Sequence, residues 1–164
     1  MASTILVWDT RVNLPSPGAM SGPGESNVAR IKVDATTPLD TIIAKILSAA
    51  HDDKIKVLKI FAHGGSGSGG AVALGKDRLT ITSIYRFRAL AGRFEEEEGR
   101  IELHSCLVAK NAGDNSSNSW AFLQALASIS DAYVYAGEEL QTIWLDKPWD
   151  PDWEGAVWIF APDR

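Results

Sequence analysis

The sequence predicts an α/β fold: a mostly parallel central sheet with helices on both faces. Three observations carry this. Short β-rich runs alternate with amphipathic helical runs along the chain, the pattern of parallel strands joined by helical crossovers. The run Ile55 to Ala62 is apolar on both faces from Val57 onward, as in a strand covered on both sides. Two runs, ending at Ala62 and Ser105, break off at reactive side chains, His63 and Cys106. Both then fall at the sheet's carboxyl edge, where ligands of open α/β sheets bind.

In chain order, Thr4 to Trp8 reads as a buried strand ending at Asp9. Residues 13–26 hold prolines and glycines throughout and form a long loop. Val28 to Val33 alternates charged and apolar residues, as an edge strand does. Thr37 is placed to cap a helix, with Pro38 at its first position and Asp40 in its first turn. Leu39, Ile42, Ile43, Ile46, Leu47 and Ala50 share one face of that helix. After the glycine–serine loop, Ala71 to Leu74 forms a short β-arm and Ser83 to Arg93 a second helix with Ile84, Phe87, Leu90, Ala91 and Phe94 inward. The acidic run Glu95 to Glu98 is a solvated turn. Ile101 to Ser105 is a strand, 110–118 a polar loop, and Trp120, Leu123, Leu126 and Ala127 mark a third helix. Ala132 to Ala136 is a strand, and residues 143–160 form a C-terminal β-hairpin appendage around a tryptophan-rich turn.

The 164 residues suit one domain, 1–164, with enough chain to bury a core. A net charge of −5 without a basic cluster argues against a nucleic-acid surface. No apolar run approaches the ~20 residues that span a bilayer. The apolar run Ile5 to Trp8 lacks a basic segment before it, so no secretory signal is expected. The single cysteine forms no internal disulfide and suits a reducing compartment; a cytoplasmic location is the expectation.

The glycine loop satisfies G-x-G-x-x-G at Gly65, Gly67 and Gly70, but the run that follows is β-like, whereas a pyrophosphate site needs a helix there. Gly70 to Lys76 also matches G-x-x-x-x-G-K, yet Asp77 stands where a Ser or Thr would meet magnesium. A plain flexible loop is the better reading. Taken alone, His63 is ordinarily a hydrogen-bonded core residue and Cys106 a small buried hydrophobe. Together they read otherwise: His63 precedes two glycines that open the backbone to a ligand, and Cys106 opens a polar loop. A thiol is nucleophilic as thiolate and needs a base beside it; a histidine on the neighbouring strand end supplies one.

A strand ending in His-Gly and a later strand ending in Ser-Cys resemble the caspase-like cysteine peptidases. The similarity is greatest to bacterial caspase-like domains of the CHAT type and to a related domain of large bacterial surface proteins. It rests on VWDTRV (7–12), KIFAHGGSGSGGAVALG (59–75), RIELHSCLVAKNAG (100–113) and the helix and strand that follow, to Ala136. Cys106 lies 43 residues after His63, near the ~50 of caspases; the caspase pentapeptide around the cysteine is absent. The resemblance implies a three-layer α/β/α fold and a cysteine endopeptidase acting on a peptide or protein. Cys106 is then the nucleophile, His63 the general base and acid, and the amides of Gly64 and Cys106 the oxyanion donors. No cofactor and no membrane are implied.

Around this dyad, His104 lies two residues before Cys106 on the same side of the pleat, able to orient substrate or compete as base. Asp9, at the end of the first strand, is the expected partner of a basic substrate side chain, with Glu138 and Glu139 after the last parallel strand reinforcing it. Arg11 is the counter-candidate, which would select acidic residues. A zinc site from His63, His104 and Cys106 is a minor alternative. A domain of this fold without turnover, acting as an interaction or regulatory module with a protein partner, is the main one.

Overall fold

The computed structural model describes residues 3–12, 27–64, 70–106, 108–138 and 156–163. Its strands are Thr4–Asp9 (β1), Val28–Val33 (β2), Val57–Phe61 (β3), His63–Gly64 (β4), Ala71–Ala73 (β5), Leu79–Thr80 (β6), Arg100–His104 (β7), Tyr133–Gly137 (β8) and Val157–Phe160 (β9). Among the described residues three helices accompany them: Leu39–Ala50 (α1), Asn118–Ser130 (α2) and, between β6 and β7, a 3-10 helix over Ile84–Leu90.

A six-stranded sheet runs β2-β1-β3-β7-β8-β9, parallel except for β9. The predicted edge strand is β2, with Ile31 and Val33 turned inward and Arg30 and Lys32 outward. Of the expected C-terminal hairpin, the arm Val157–Phe160 pairs antiparallel with β8 as the sixth strand of the main sheet. The other expected arm, 143–145, and the loop 13–26 lie outside the described residues. A small second sheet, β4-β5-β6, grows from the carboxyl end of β3.

Of the two helix layers expected, the described residues show one. Ile5, Val7, Leu58, Ile60, Ile101, Leu103, Val134 and Ala136 form one cluster with the buried residues of α1, the 3-10 helix and α2. The opposite face carries Leu6 and Phe61 with Trp8, Val12 and Val28 around them, and among the described residues no helix covers it. Chain direction explains this. The steps β2 to β3, β3 to β7 and β7 to β8 all cross the sheet the same way. Crossovers of one hand travelling one way stack on one face. Only β1 to β2 steps back.

Local chemistry sets the helices. In the 3-10 helix the buried residues Ile84, Phe87 and Leu90 recur every third position, which three residues per turn bring onto a single face. In α2, Ser117 caps the start by accepting from the Trp120 amide at 3.1 Å, and Phe122 joins Leu123, Leu126 and Ala127 inside while Trp120 faces outward. Among the described residues no helix is long and apolar enough to cross a membrane.

Candidate active site

The strand order reverses between β1 and β3: the chain goes from β1 out to β2, then returns past β1 to β3. The crevice beyond the carboxyl ends at such a reversal is where open α/β sheets bind ligands. Here β1 ends on Asp9 and β3 leads through Ala62 into His63.

Strand register carries the chain ends that hold His63 and Cys106 to the same edge of the sheet. The β3–β7 ladder pairs Val57 with Arg100 and Phe61 with His104, and His63 and Cys106 each follow two residues beyond that last pair. The approach is close. A Cβ added to Gly64 would stand 1.8 Å from the Cys106 carbonyl oxygen and 2.8 Å from its carbon, far inside van der Waals contact. Gly64 is thus the residue that lets the two chain ends touch. His63 is exposed and Cys106 half-buried.

The His63 ring is oriented by backbone. Its Nε2 lies 2.8 Å from the Arg11 carbonyl oxygen. A carbonyl only accepts, so Nε2 carries the hydrogen and, in the neutral ring, Nδ1 holds the lone pair.

Asp9 and Arg11 form a closed arrangement. Asp9 is fully buried. Its carboxylate accepts from the Arg11 amide at 3.1 Å, Arg11 Nε at 2.9 Å, Arg11 Nη2 at 2.7 Å and the Gly75 amide at 2.9 Å. Burial alone raises a carboxyl pKa; here the Arg11 and Gly75 donors and the guanidinium charge outweigh it and leave Asp9 below its ordinary value. Arg11 Nη2 also donates to the Ala73 and Gly75 carbonyls at 2.8 and 3.0 Å. The geometry ties Asp9 to Arg11 rather than presenting either as a lone charge in a pocket. The two described acidic candidates, Asp9 and Glu138, lie apart. Glu138 follows β8, three strand spacings from β1, about 14 Å away, and donates its amide to the Ala156 carbonyl. Glu139 lies outside the described residues.

His104 is buried on the face opposite the helices. Its ring stacks on Phe61 with centroids 5.0 Å apart, and its Nε2 meets Glu102 Oε2 at 2.9 Å. Arg100 Nε donates to the other Glu102 oxygen at 2.7 Å. Burial works to raise the Glu102 pKa, but the His104 bond and charge, the Arg100 bond and the Lys59 charge bring it down to about 2. Among the described residues no three His, Cys, Asp or Glu side chains gather to hold a metal ion. His63 and His104 face different partners, Arg11 and Glu102, so the alternative zinc site is set aside.

Glu102 escaped sequence reading. A lone Glu in an apolar strand passes for a solvent-facing residue, although its spacing from His104 as Glu-x-His places both on one side of a pleat. The Ala73 and Gly75 carbonyls left no signal in side-chain identity. Comparison with known proteins finds no matching family model, curated protein or solved structure.

Proposed function

We propose that the chain is a cysteine peptidase of the caspase-like type, with Cys106 as nucleophile and His63 as general base and acid. The observation that carries this reading is the contact of the His63–Gly64 chain end with the Cys106 backbone at the sheet's carboxyl edge, with the imidazole held by the Arg11 carbonyl. In the proposed reaction His63 Nδ1 takes the Cys106 proton and the sulfur attacks the scissile carbonyl. The oxyanion is met by the amides of Gly64 and Cys106. The proton then passes to the leaving amine, and water activated by His63 hydrolyses the thioester.

Specificity is not assigned to Asp9. Its oxygens already accept from Arg11 and Gly75, and a substrate guanidinium would have to displace a bidentate pair of the same chemistry.

The experiment is labelling with a peptidyl acyloxymethyl ketone followed by mass spectrometry. Wild type should take one label on Cys106, Cys106→Ala none, and His63→Ala should react at least ~100-fold more slowly, the usual loss on removing a general base. A wild-type protein that stays unlabelled across pH and candidate activators would move the assignment to a caspase-like binding or regulatory module.

A further inference from the structure

We propose that Asp9 and Arg11 are a positioning pair whose work is to hold the His63 imidazole in one tautomer and orientation. This rests on the Cys–His reading above and adds the residues that set its base.

The bonds form a closed circuit. The Asp9 carboxylate grips Arg11 through the amide, Nε and Nη2. The Arg11 guanidinium reaches across to the Ala73 and Gly75 carbonyls. Ala73 is the cross-strand partner of His63 in the β4–β5 ladder. The His63 ring returns to the Arg11 carbonyl through Nε2. One guanidinium therefore fixes His63 twice, once through the strand that carries its backbone partner and once through the carbonyl that receives its ring. The turn that presents this carbonyl has its own ties. Thr10 donates its amide to the Val33 carbonyl at 2.9 Å, Val12 its amide to the Asp9 carbonyl at 2.9 Å, and Trp8 Nε1 to the Val12 carbonyl at 2.8 Å.

A purely structural role fits this arrangement less well. Buried ion pairs contribute little net stability relative to apolar side chains of similar size, because desolvation offsets the attraction. A planar fork with several directional bonds supplies geometry instead. The β1 end would be sealed as effectively by an apolar side chain. No apolar side chain would place a carbonyl oxygen 2.8 Å from an imidazole nitrogen.

The test uses the intact chain with 15N-labelled histidine, the His63 signals being assigned by their loss in His63→Ala. Wild type should show a protonated Nε2 and an unprotonated Nδ1 in the neutral ring. Arg11→Ala and Arg11→Lys should give mixed tautomers, and probe labelling of Cys106 should slow by roughly tenfold or more, as expected when a reacting group is misplaced by a fraction of an ångström. Free guanidinium ion should restore part of the Arg11→Ala rate. Arg86→Ala, which breaks the surface pair with Asp40, should change neither readout. If Arg11→Ala does not fold, Asp9→Asn serves with Arg11→Lys. Folded variants that keep the wild-type tautomer and labelling rate overturn the proposal while leaving the peptidase reading intact. If wild-type Cys106 is itself unreactive, the peptidase reading fails, and the tautomer comparison alone still decides whether the pair positions His63.

Discussion

Among the described residues two acidic side chains, Asp9 and Glu102, are buried, and both are held ionised. Burial pushes each toward the neutral form; in each case nearby hydrogen-bond donors and positive charge outweigh it. For Glu102 these are His104 and Arg100, with the Lys59 charge behind them, and they bring its pKa from an ordinary 4.5 to about 2. A carboxyl depressed in the folded state stabilises the fold fully above its unfolded value and loses that contribution as pH falls through its folded value. The window for Glu102 thus opens near pH 4.5 and closes near 2. Glu102→Gln should lower stability at pH 7 by at most about 3 kcal/mol and flatten the acid limb across that window. Urea unfolding at a series of pH values reads both; an unchanged acid limb would mean that Glu102 titrates alike in both states. The residue scale also shows what a sequence exposes. His63, Gly64 and Cys106 were legible because each sits where an apolar run stops, and an abrupt end on a reactive side chain is visible in one dimension. Glu102 was not, because its partner His104 gives it a role only once both project from the same side of β7. Asp9 was legible as a strand-end carboxylate but not as Arg11's partner, since that bond needs the turn after β1.

At the scale of elements, apolar spacing located the six strands of the main sheet and the three described helices but not the two-residue strands β4 and β6, while long-range chemistry decided their ends. Thr37 was the expected cap of α1. Its hydroxyl instead accepts from the Asp34 amide at 3.1 Å, and the first helical amide, Leu39, donates to Asp77 Oδ2 at 2.7 Å from 38 residues away. The segment 73–77 is thereby pinned on two sides, to the end of β1 through Gly75 and to the start of α1 through Asp77 and the bond from the Lys76 amide to the Thr37 carbonyl. Gly75 fits there because its φ is +65° and a Cβ would meet the Thr37 carbonyl oxygen at 2.5 Å. Asp77→Ala should cost about 1 kcal/mol, the usual loss of a helix cap, and should speed hydrogen exchange of the first α1 amides. Exchange unchanged at Leu39 would show that the cap contributes nothing there. The second helix makes the same point. Ile84, Phe87 and Leu90 read as part of an α-helical face, yet a strict period of three with no inward residue between them marks a 3-10 helix, and Phe94 falls beyond its end.

For the whole molecule, the physical lesson lies in what "apolar on both faces" means for a strand. In β3, Val57, Leu58, Ile60 and Phe61 predicted a helix layer on each side. Leu58 and Ile60 do face helices. Phe61, on the other face, is equally buried: Leu6 and Trp8 flank it and His104 stacks against it. Lys32 lies over Trp8 with its Nζ 5.8 Å from the ring centre, extending the same row across the sheet. Side chains standing shoulder to shoulder on one pleated surface can exclude water from one another, and composition alone does not separate that from burial under a second layer. The two arrangements differ in how a cavity is felt. A Leu removed beneath helices leaves a void enclosed by rigid neighbours; a Leu removed from a row that no described helix covers leaves a gap that adjacent side chains can close. Leu58→Ala should therefore cost about 4 kcal/mol and Leu6→Ala about 2 kcal/mol, within the known range for such truncations, although Leu58 is 0% and Leu6 only 2% exposed. Urea midpoints at unchanged m-value measure the difference. Equal losses at the two sites would show Leu6 to be as tightly enclosed as Leu58, and would restore the second covering layer that the described residues lack.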